Sequence, residues 1–252
     1  MHGTYEANMA MHDCDVMFAI GARFDDRVTG NLDFFSPGSQ KVQIDIDQSS
    51  INKNVPVDIG IVGDVGHVLE DMIKIWKAKQ HKIDANALDG WWKEIEGWRE
   101  KRCLSYKQSK DVIKPQHVIR RVHELTRDRK TYITTDVGQH QMWTAQFYKW
   151  KFPRQIISSG GLGTMGFGLP SAIGAQRGNP GKTVIEVDGD GSFCMSMAEL
   201  ITATNYSLPV KSMILNNGYL GMVRQWQEMF FGNRYSATPI KSPNFAGLAE
   251  SM

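Results

Sequence analysis

Residues 183–226 read TVIEVDGDGSFCMSMAELITATNYSLPVKSMILNNGYLGMVRQW, and the fold turns on this stretch. A β-branched run (Val184, Ile185, Val187) ends in Gly189-Asp190-Gly191. A helical stretch follows, then a second apolar run (Val210, Met213, Ile214, Leu215) that ends in Asn216-Asn217. Strand, loop, helix, strand and loop in this order spell a parallel βαβ unit. Both polar loops then fall at the carboxyl ends of neighbouring strands, where open α/β sheets bind ligands. One loop offers a carboxylate between two glycines and the other a pair of amides. Oxygen donors of this kind suit a hard cation holding phosphate oxygens, above all Mg²⁺.

The rest of the chain has the same grammar. Residues 15–20 (DVMFAI) form a short apolar run that ends at Gly21. The run KVQIDID (41–47) ends in Asp45 and Asp47, and a third, Asp58 to Val62, stops at Gly63-Asp64. Three strands ending in Gly or Asp, with helical stretches between, describe a nucleotide-binding half-sheet. The helix after the third has Val65, Val68, Leu69, Met72, Ile73 and Trp76 on one face. Residues 77–114 are rich in Lys, Gln, Asp and Asn and carry Trp91, Trp92 and Trp98. They read as a linker and a helix packed between domains. A new unit opens at Lys114-Pro115 with a helix, followed by a strand (Tyr132 to Thr135), the loop 136–141 and a glycine-rich helix entry at 160–170. The fold class expected is α/β, with two doubly wound parallel-sheet domains. Residues 1–80 are the latter part of the first, 81–113 a linker and interdomain helix, and 114–252 the second.

Bulk composition excludes several classes. With 29 basic and 27 acidic residues the charge is nearly balanced, so no nucleic acid or membrane surface is implied as partner. Three scattered cysteines (Cys14, Cys103, Cys194) form no CxxC pair and no disulfide framework, which fits a reducing, cytoplasmic setting. The uncharged run Gln155 to Gln176 contains six glycines and Pro170, so it reads as a loop entering a buried helix, not as a membrane span. The chain starts abruptly at Met1-His2-Gly3-Thr4 and stops within an amphipathic helix near Met252, as a piece of a longer polypeptide would.

Taken singly, the polar and aromatic residues of the loops are unremarkable. Gly-Asp-Gly is common in surface turns, and His140 alone fits a capping residue. Met165 and Met222 alone fit core filler, and Trp226 alone a core aromatic. Order and spacing discriminate. Asn216 and Asn217 follow Asp190 by 26 and 27 residues, at the end of the next strand. This pattern resembles the thiamine diphosphate signature, in which the aspartate, the second asparagine and a main-chain carbonyl two residues on hold Mg²⁺. The resemblance implies Asp190, Asn217 and the backbone oxygen of Tyr219 as metal ligands. Gly189 and Gly191 are expected to let the backbone approach phosphate without a Cβ in the way. DVGQHQM (136–142), SGGLGTMGFGLP (159–170), LGMVRQW (220–226), MHGTY (1–5) and RFDDR (23–27) narrow the match. Over essentially the whole chain they resemble the catalytic large subunit of the acetohydroxyacid (acetolactate) synthase family.

That resemblance implies roles residue by residue. Gln139 and His140 contact the diphosphate. Gly163 and Met165 surround the aminopyrimidine, with Met165 propping the bent cofactor. Met222, Val223 and Trp226 shape the second-substrate pocket. Gly21, Arg23, Asp26, Arg27, Val28, Asp45, Ile46, Asp64 and Val65 fall where the family contacts FAD, which serves no net redox in the main reaction. Glycine at a strand end admits a pyrophosphate and arginine pairs with it. Read alone, Asp25-Asp26-Arg27 is a solvated, ion-paired turn.

The implied activity is decarboxylation of pyruvate and transfer of the two-carbon unit to pyruvate or 2-oxobutyrate, toward valine, leucine and isoleucine. The implied assembly is a homodimer or homotetramer with a regulatory small subunit. The family's cofactor-activating glutamate belongs to an amino-terminal domain, and none of Glu6, Glu186 or Glu199 stands in a matching motif. No catalytic residue is therefore assigned, and these 252 residues alone are expected to be inactive. Pyruvate oxidase and glyoxylate carboligase are the alternative flavin-containing thiamine enzymes, and a non-catalytic nucleotide-binding module is the alternative outside catalysis. Trp226 between two glutamines and Asp25-Asp26-Arg27 favour the synthase.

Overall fold

The computed structural model describes residues 3–79, 81 and 83–252. Met1 and His2 of the opening motif, and Gln80 and Lys82 near the first domain limit, lie outside the described residues. The chain divides into two compact units, Gly3–Ser105 and Tyr106–Met252.

The first unit begins with α1 (Tyr5–Asp13), whose amino end is capped by the Thr4 hydroxyl. It continues through β1 (Val16–Ile20), the one-turn α2 (Asp26–Thr29), β2 (Gln40–Asp45), β3 (Ile59–Val62), α3 (Val65–Lys79) and α4 (Ala85–Arg99). The three strands pair in the order β1-β2-β3, all parallel. Ala19, Phe24 and Val55 form the core, with Met17, Phe35 and Val57 around them. Helix α3 buries less than its pattern predicts: Val65, Val68, Leu69 and Met72 are half-buried, but Ile73 and Trp76 are exposed. Fifteen helical residues span about 22 Å, whereas the four of β3 span about 13 Å. The second half of the helix therefore outruns the strands. Helix α4 packs along α1 within this unit, with Trp91 edge-on to Trp98 at 5.7 Å between ring centroids.

The second unit contains α5 (Pro115–Thr126), β4 (Thr131–Thr135), α6 (Gln139–Phe147), β5 (Ile156–Ser158), α7 (Gly168–Gly178) and β6 (Thr183–Gly189). It ends with α8 (Asp190–Ser196), α9 (Leu200–Asn205), β7 (Lys211–Leu215), α10 (Gly221–Phe230) and α11 (Phe245–Ser251). Its sheet runs β5-β4-β6-β7, again wholly parallel, so both units are α/β as the sequence predicts. From β4 the chain passes outward to β5, returns to β6 on the other side of β4, and then moves on to β7. The connections after β4 and β6 thus leave in opposite directions, and a crevice opens between their carboxyl ends. Two differences from the sequence reading bear on the site. Residues 139–141 are not loop but the first turn of α6, and β5 is a three-residue strand with no sequence signal. No described helix is long and apolar enough to cross a membrane.

Leu169, in the first turn of α7, is fully buried with Ile119, Ile133, Val184 and Val187. Leu169→Ala should destabilise this unit by about 2–5 kcal/mol in urea unfolding. Leu162→Ala, at a side chain 90% exposed, should stay within about 0.5 kcal/mol.

Candidate functional site

An open cleft of about 510 Å³ lies at the crevice between β4 and β6. The first turn of α6, following β4, brings Gln139 and His140 to it, the junction of β6 and α8 brings Gly189, Asp190 and Gly191, and the loop after β7 brings Asn217 and Tyr219. Met165 and, from α10, Met222 and Val223 complete the predicted set that lines it. Gly163 and Trp226 do not line it. Gly163 lies beside Val137, and Trp226 is partly exposed on α10, packed on Phe230. Trp143, Ser192, Leu215 and Leu220 line the cleft without having been singled out in the sequence.

Asp190 is 1% exposed, and its two carboxylate oxygens are not equivalent. Oδ2 accepts from the Gly218 amide at 2.8 Å and the Ser242 hydroxyl at 2.9 Å. Oδ1 accepts no hydrogen bond among the described residues, and neither does the Tyr219 carbonyl. The Asn217 amide oxygen receives only the Tyr219 N–H, at 3.0 Å, and keeps a second lone pair. One carboxylate oxygen and two neutral oxygens thus stand ready around the same loop pair. This donor set fits a hard divalent cation.

The glycines of the site also pack closely against protein side chains. A Cβ on Gly189 would stand 2.9 Å from His140 Nδ1, and one on Gly138 (φ +152°) 2.9 Å from His140 Cε1. A Cβ on Gly191 would meet Leu220 at 2.7 Å. Two of them bracket the buried imidazole and the third seats Leu220. Burial lowers the His140 pKa to about 4, so the ring is neutral, with Nε2 3.6 Å from Asp188 Oδ1.

Beneath the cleft lies a cluster that the sequence reading passed over: Asp136, Glu186 and Asp188, all fully buried. Asp136 accepts from the amides of Val137, Gly166 and Gly168 at 2.7, 3.1 and 2.6 Å, which ties the glycine-rich entry of α7 to β4. Glu186 accepts from the Ser212 hydroxyl and Asp188 from the Gly189 amide, while Glu186 Oε1 and Asp188 Oδ2 are buried without a hydrogen-bond partner among the described residues. Burial, then the neighbouring carboxylates Asp136 and Glu186, push Asp188 up to about 9. Burial is also the chief cause that raises Glu186, to about 7. Asp136, His140 and Asp188 come close enough to hold an ion. Asp136 is already engaged by three amides, and burial keeps the Asp188 carboxyl protonated, so the trio is a poor ion site. The available signal was a pair of acids two residues apart in an otherwise apolar strand.

In the first unit the predicted flavin residues gather at the carboxyl edge of the sheet. Gly21 (φ +63°) follows β1 and donates to the Ile44 carbonyl at 2.9 Å. Asp45 ends β2 and Ile46 follows it, and Asp64 and Val65 follow β3, with Asp64 Oδ1 accepting from Gly66 N at 2.9 Å. Arg23 pairs with Asp25 at 3.1 Å and Arg27 with Asp26 at 3.5 Å, all solvent-accessible, while Val28 and Ile46 are exposed. Exposed pairs of this kind contribute at most about 1 kcal/mol.

The buried acids set a pH dependence. An unfolded glutamate releases its proton near 4.5 and folded Glu186 near 7. Between those values the folded chain binds the extra proton, so stability falls as pH rises through the window. His140 acts oppositely: between 6.5 and about 4 the unfolded chain binds the extra proton, and stability falls as pH falls. Glu186→Gln should therefore gain in thermal midpoint over the unsubstituted protein as pH is raised from 4.5 to about 7. Melts showing a constant difference across that window would contradict a protonated, buried Glu186.

The C-terminal TPP-binding domain of thiamine pyrophosphate enzymes matches residues 136–252, and the central domain of the same enzymes matches residues 1–72. The chain is 50% identical over 252 residues to the acetolactate synthase isozyme 3 large subunit of Escherichia coli (strain K12), covering all of this chain and 44% of that protein. It is 48% identical over 252 residues to the acetolactate synthase large subunit of Haemophilus influenzae, again covering all of this chain and 44% of the relative. To the mitochondrial acetolactate synthase catalytic subunit of Aspergillus candidus it is 44% identical over 269 residues, covering all of this chain and 38% of the relative. The chain thus spans less than half the length of these curated relatives. By these matches and the two parallel-sheet units, the chain belongs to the thiamine pyrophosphate enzymes, with the acetolactate synthase large subunits.

Proposed function

We propose that the protein to which this chain belongs is an acetolactate synthase, and that its second unit anchors thiamine diphosphate through Mg²⁺. One observation carries this reading: Asp190 Oδ1 and the Tyr219 carbonyl, both without hydrogen bonds among the described residues, share a cleft with the Asn217 amide oxygen. Asp190 Oδ1, Asn217 Oδ1 and the Tyr219 carbonyl would hold the cation, which would offset the charge of the diphosphate. Gln139 and His140, at the amino end of α6, bind the diphosphate, and the neutral ring brings no charge of its own. Met165 props the cofactor, while Met222 and Val223 keep the reacting end dry and Trp226 bounds the second-substrate pocket. When bound, thiamine diphosphate supplies the electron sink for loss of CO₂ from pyruvate.

The first unit takes FAD at the carboxyl edge of its sheet. Gly21 admits the pyrophosphate, and Arg23 and Arg27, both solvent-accessible, reach it in place of their aspartate partners. The proposed limits are 1–80 for that domain, 81–113 for the connecting segment and 114–252 for the thiamine diphosphate domain. Pyruvate and 2-oxobutyrate as substrates, assembly of large subunits with a regulatory small subunit, and a cytoplasmic setting complete the reading.

The test is product analysis with the full-length protein given pyruvate, 2-oxobutyrate, thiamine diphosphate, Mg²⁺ and FAD. Acetolactate and the mixed acetohydroxy acid should form. Asp190→Asn should lower the rate by about 100-fold or more, the scale on which losing one preorganised electrostatic contact acts. Release of acetate or peroxide in place of acetolactate would contradict the synthase reading.

A further inference from the structure

After α10 the chain doubles back across the loop that carries Asn217 and Tyr219. The Leu220 amide donates to the Thr238 carbonyl at 2.9 Å, and the Ile240 amide donates to the Gly218 carbonyl at 2.9 Å. These two bonds frame an isolated antiparallel bridge between Tyr219 and Pro239. Thr238 is fully buried, and Ile240 lies over Gly191, where an added Cβ would stand 3.2 Å from its Cδ1. Two residues further on, the Ser242 hydroxyl reaches Asp190 Oδ2.

We propose that residues 238–242 are a strap that shapes the cation site, and that Ser242 is a positioning residue for Asp190. The inference rests on the cation reading above. A carboxylate at the end of a short side chain can turn and offer both oxygens to a divalent ion. Here Oδ2 is claimed by two donors from different segments, Gly218 N–H and Ser242 O–H, so the group is locked with Oδ1 forward. The bridge engages the carbonyl of Gly218 and the amide of Leu220, leaving the Tyr219 carbonyl between them free to face the ion. One strap thus orients the single charged ligand and frames the main-chain ligand. Outer partners of this kind act on affinity by fixing ligands that they do not replace.

The experiment uses the full-length protein with thiamine diphosphate, Mn²⁺ as probe, and free Mn²⁺ read by electron paramagnetic resonance. Ser242→Ala should weaken Mn²⁺ binding about 10-fold or more, and Ser242→Thr, which keeps the hydroxyl, should restore most of it. Asp190→Asn is the control for the underlying reading and should lose tight Mn²⁺ binding altogether. If Asp190→Asn binds Mn²⁺ normally, the cation site itself is wrong and the strap falls with it. If Asp190→Asn loses binding while Ser242→Ala keeps it, only the positioning role is overturned, even where Ser242→Ala lowers thermal stability. In the unsubstituted protein, Mn²⁺ with thiamine diphosphate should slow hydrogen exchange at the Leu220 and Ile240 amides. Unchanged exchange there counts against the strap whatever the variants do.

Discussion

The site depends on how the two oxygens of Asp190 are divided. A buried carboxylate must have its charge met, and an isolated one in an apolar interior is too costly to keep ionised. Here one oxygen is met by an amide and a hydroxyl, and the other is left facing the cleft. The backbone is arranged to make that possible. Gly218 (φ +70°) turns its N–H toward the carboxylate, Asn217 braces the same turn by accepting from Tyr219, and β7 delivers both residues beside the end of β6. The parallel pairing of Gly189 with Leu215 sets that distance, so sheet register and site geometry are one constraint.

A second constraint is electrostatic. A diphosphate is a polyanion, and ionised carboxylates beneath it would oppose its binding by about 4 kcal/mol for each unit pair at 4 Å with an effective dielectric of 20. Burial limits this by raising both groups, Asp188 to about 9 and Glu186 to about 7, so that Asp188 is protonated at neutral pH. Asp136 spends its charge on three amides at the entry of α7. His140, bracketed by Gly138 and Gly189, stays neutral because burial disfavours its cation. The floor of the cleft is therefore polar and close-packed yet carries little unmet charge, and this falls within a strand that must also pair on both sides.

What could be read beforehand follows from what each feature depends on. β6, β7 and their polar loops were legible because a β-branched run and a carboxylate or amide at its end are local signals. Ser242 was not, because its partner lies 52 residues away and residues 238–242 have neither helical nor strand periodicity. Helix α6 was hidden because Gly138 caps it without a side-chain hydrogen bond and its apolar residues follow no stripe. β5 is too short to show any period. The acids of β6 were hidden among valines, since only the third dimension reveals that Glu186 meets Ser212 across the sheet. Gly189 was legible as a glycine at a strand end, whereas its close packing against His140 was not, because that neighbour lies 49 residues away in sequence.

The most direct measurement is anomalous diffraction from crystals of the full-length protein grown with Mn²⁺ and thiamine diphosphate. One strong manganese peak should appear, bounded by Asp190 Oδ1, Asn217 Oδ1 and the Tyr219 carbonyl, with Asp190 Oδ2 still held by Gly218 and Ser242. A peak instead among Asp136, His140 and Asp188, or a manganese bound by both oxygens of Asp190, would contradict this assignment.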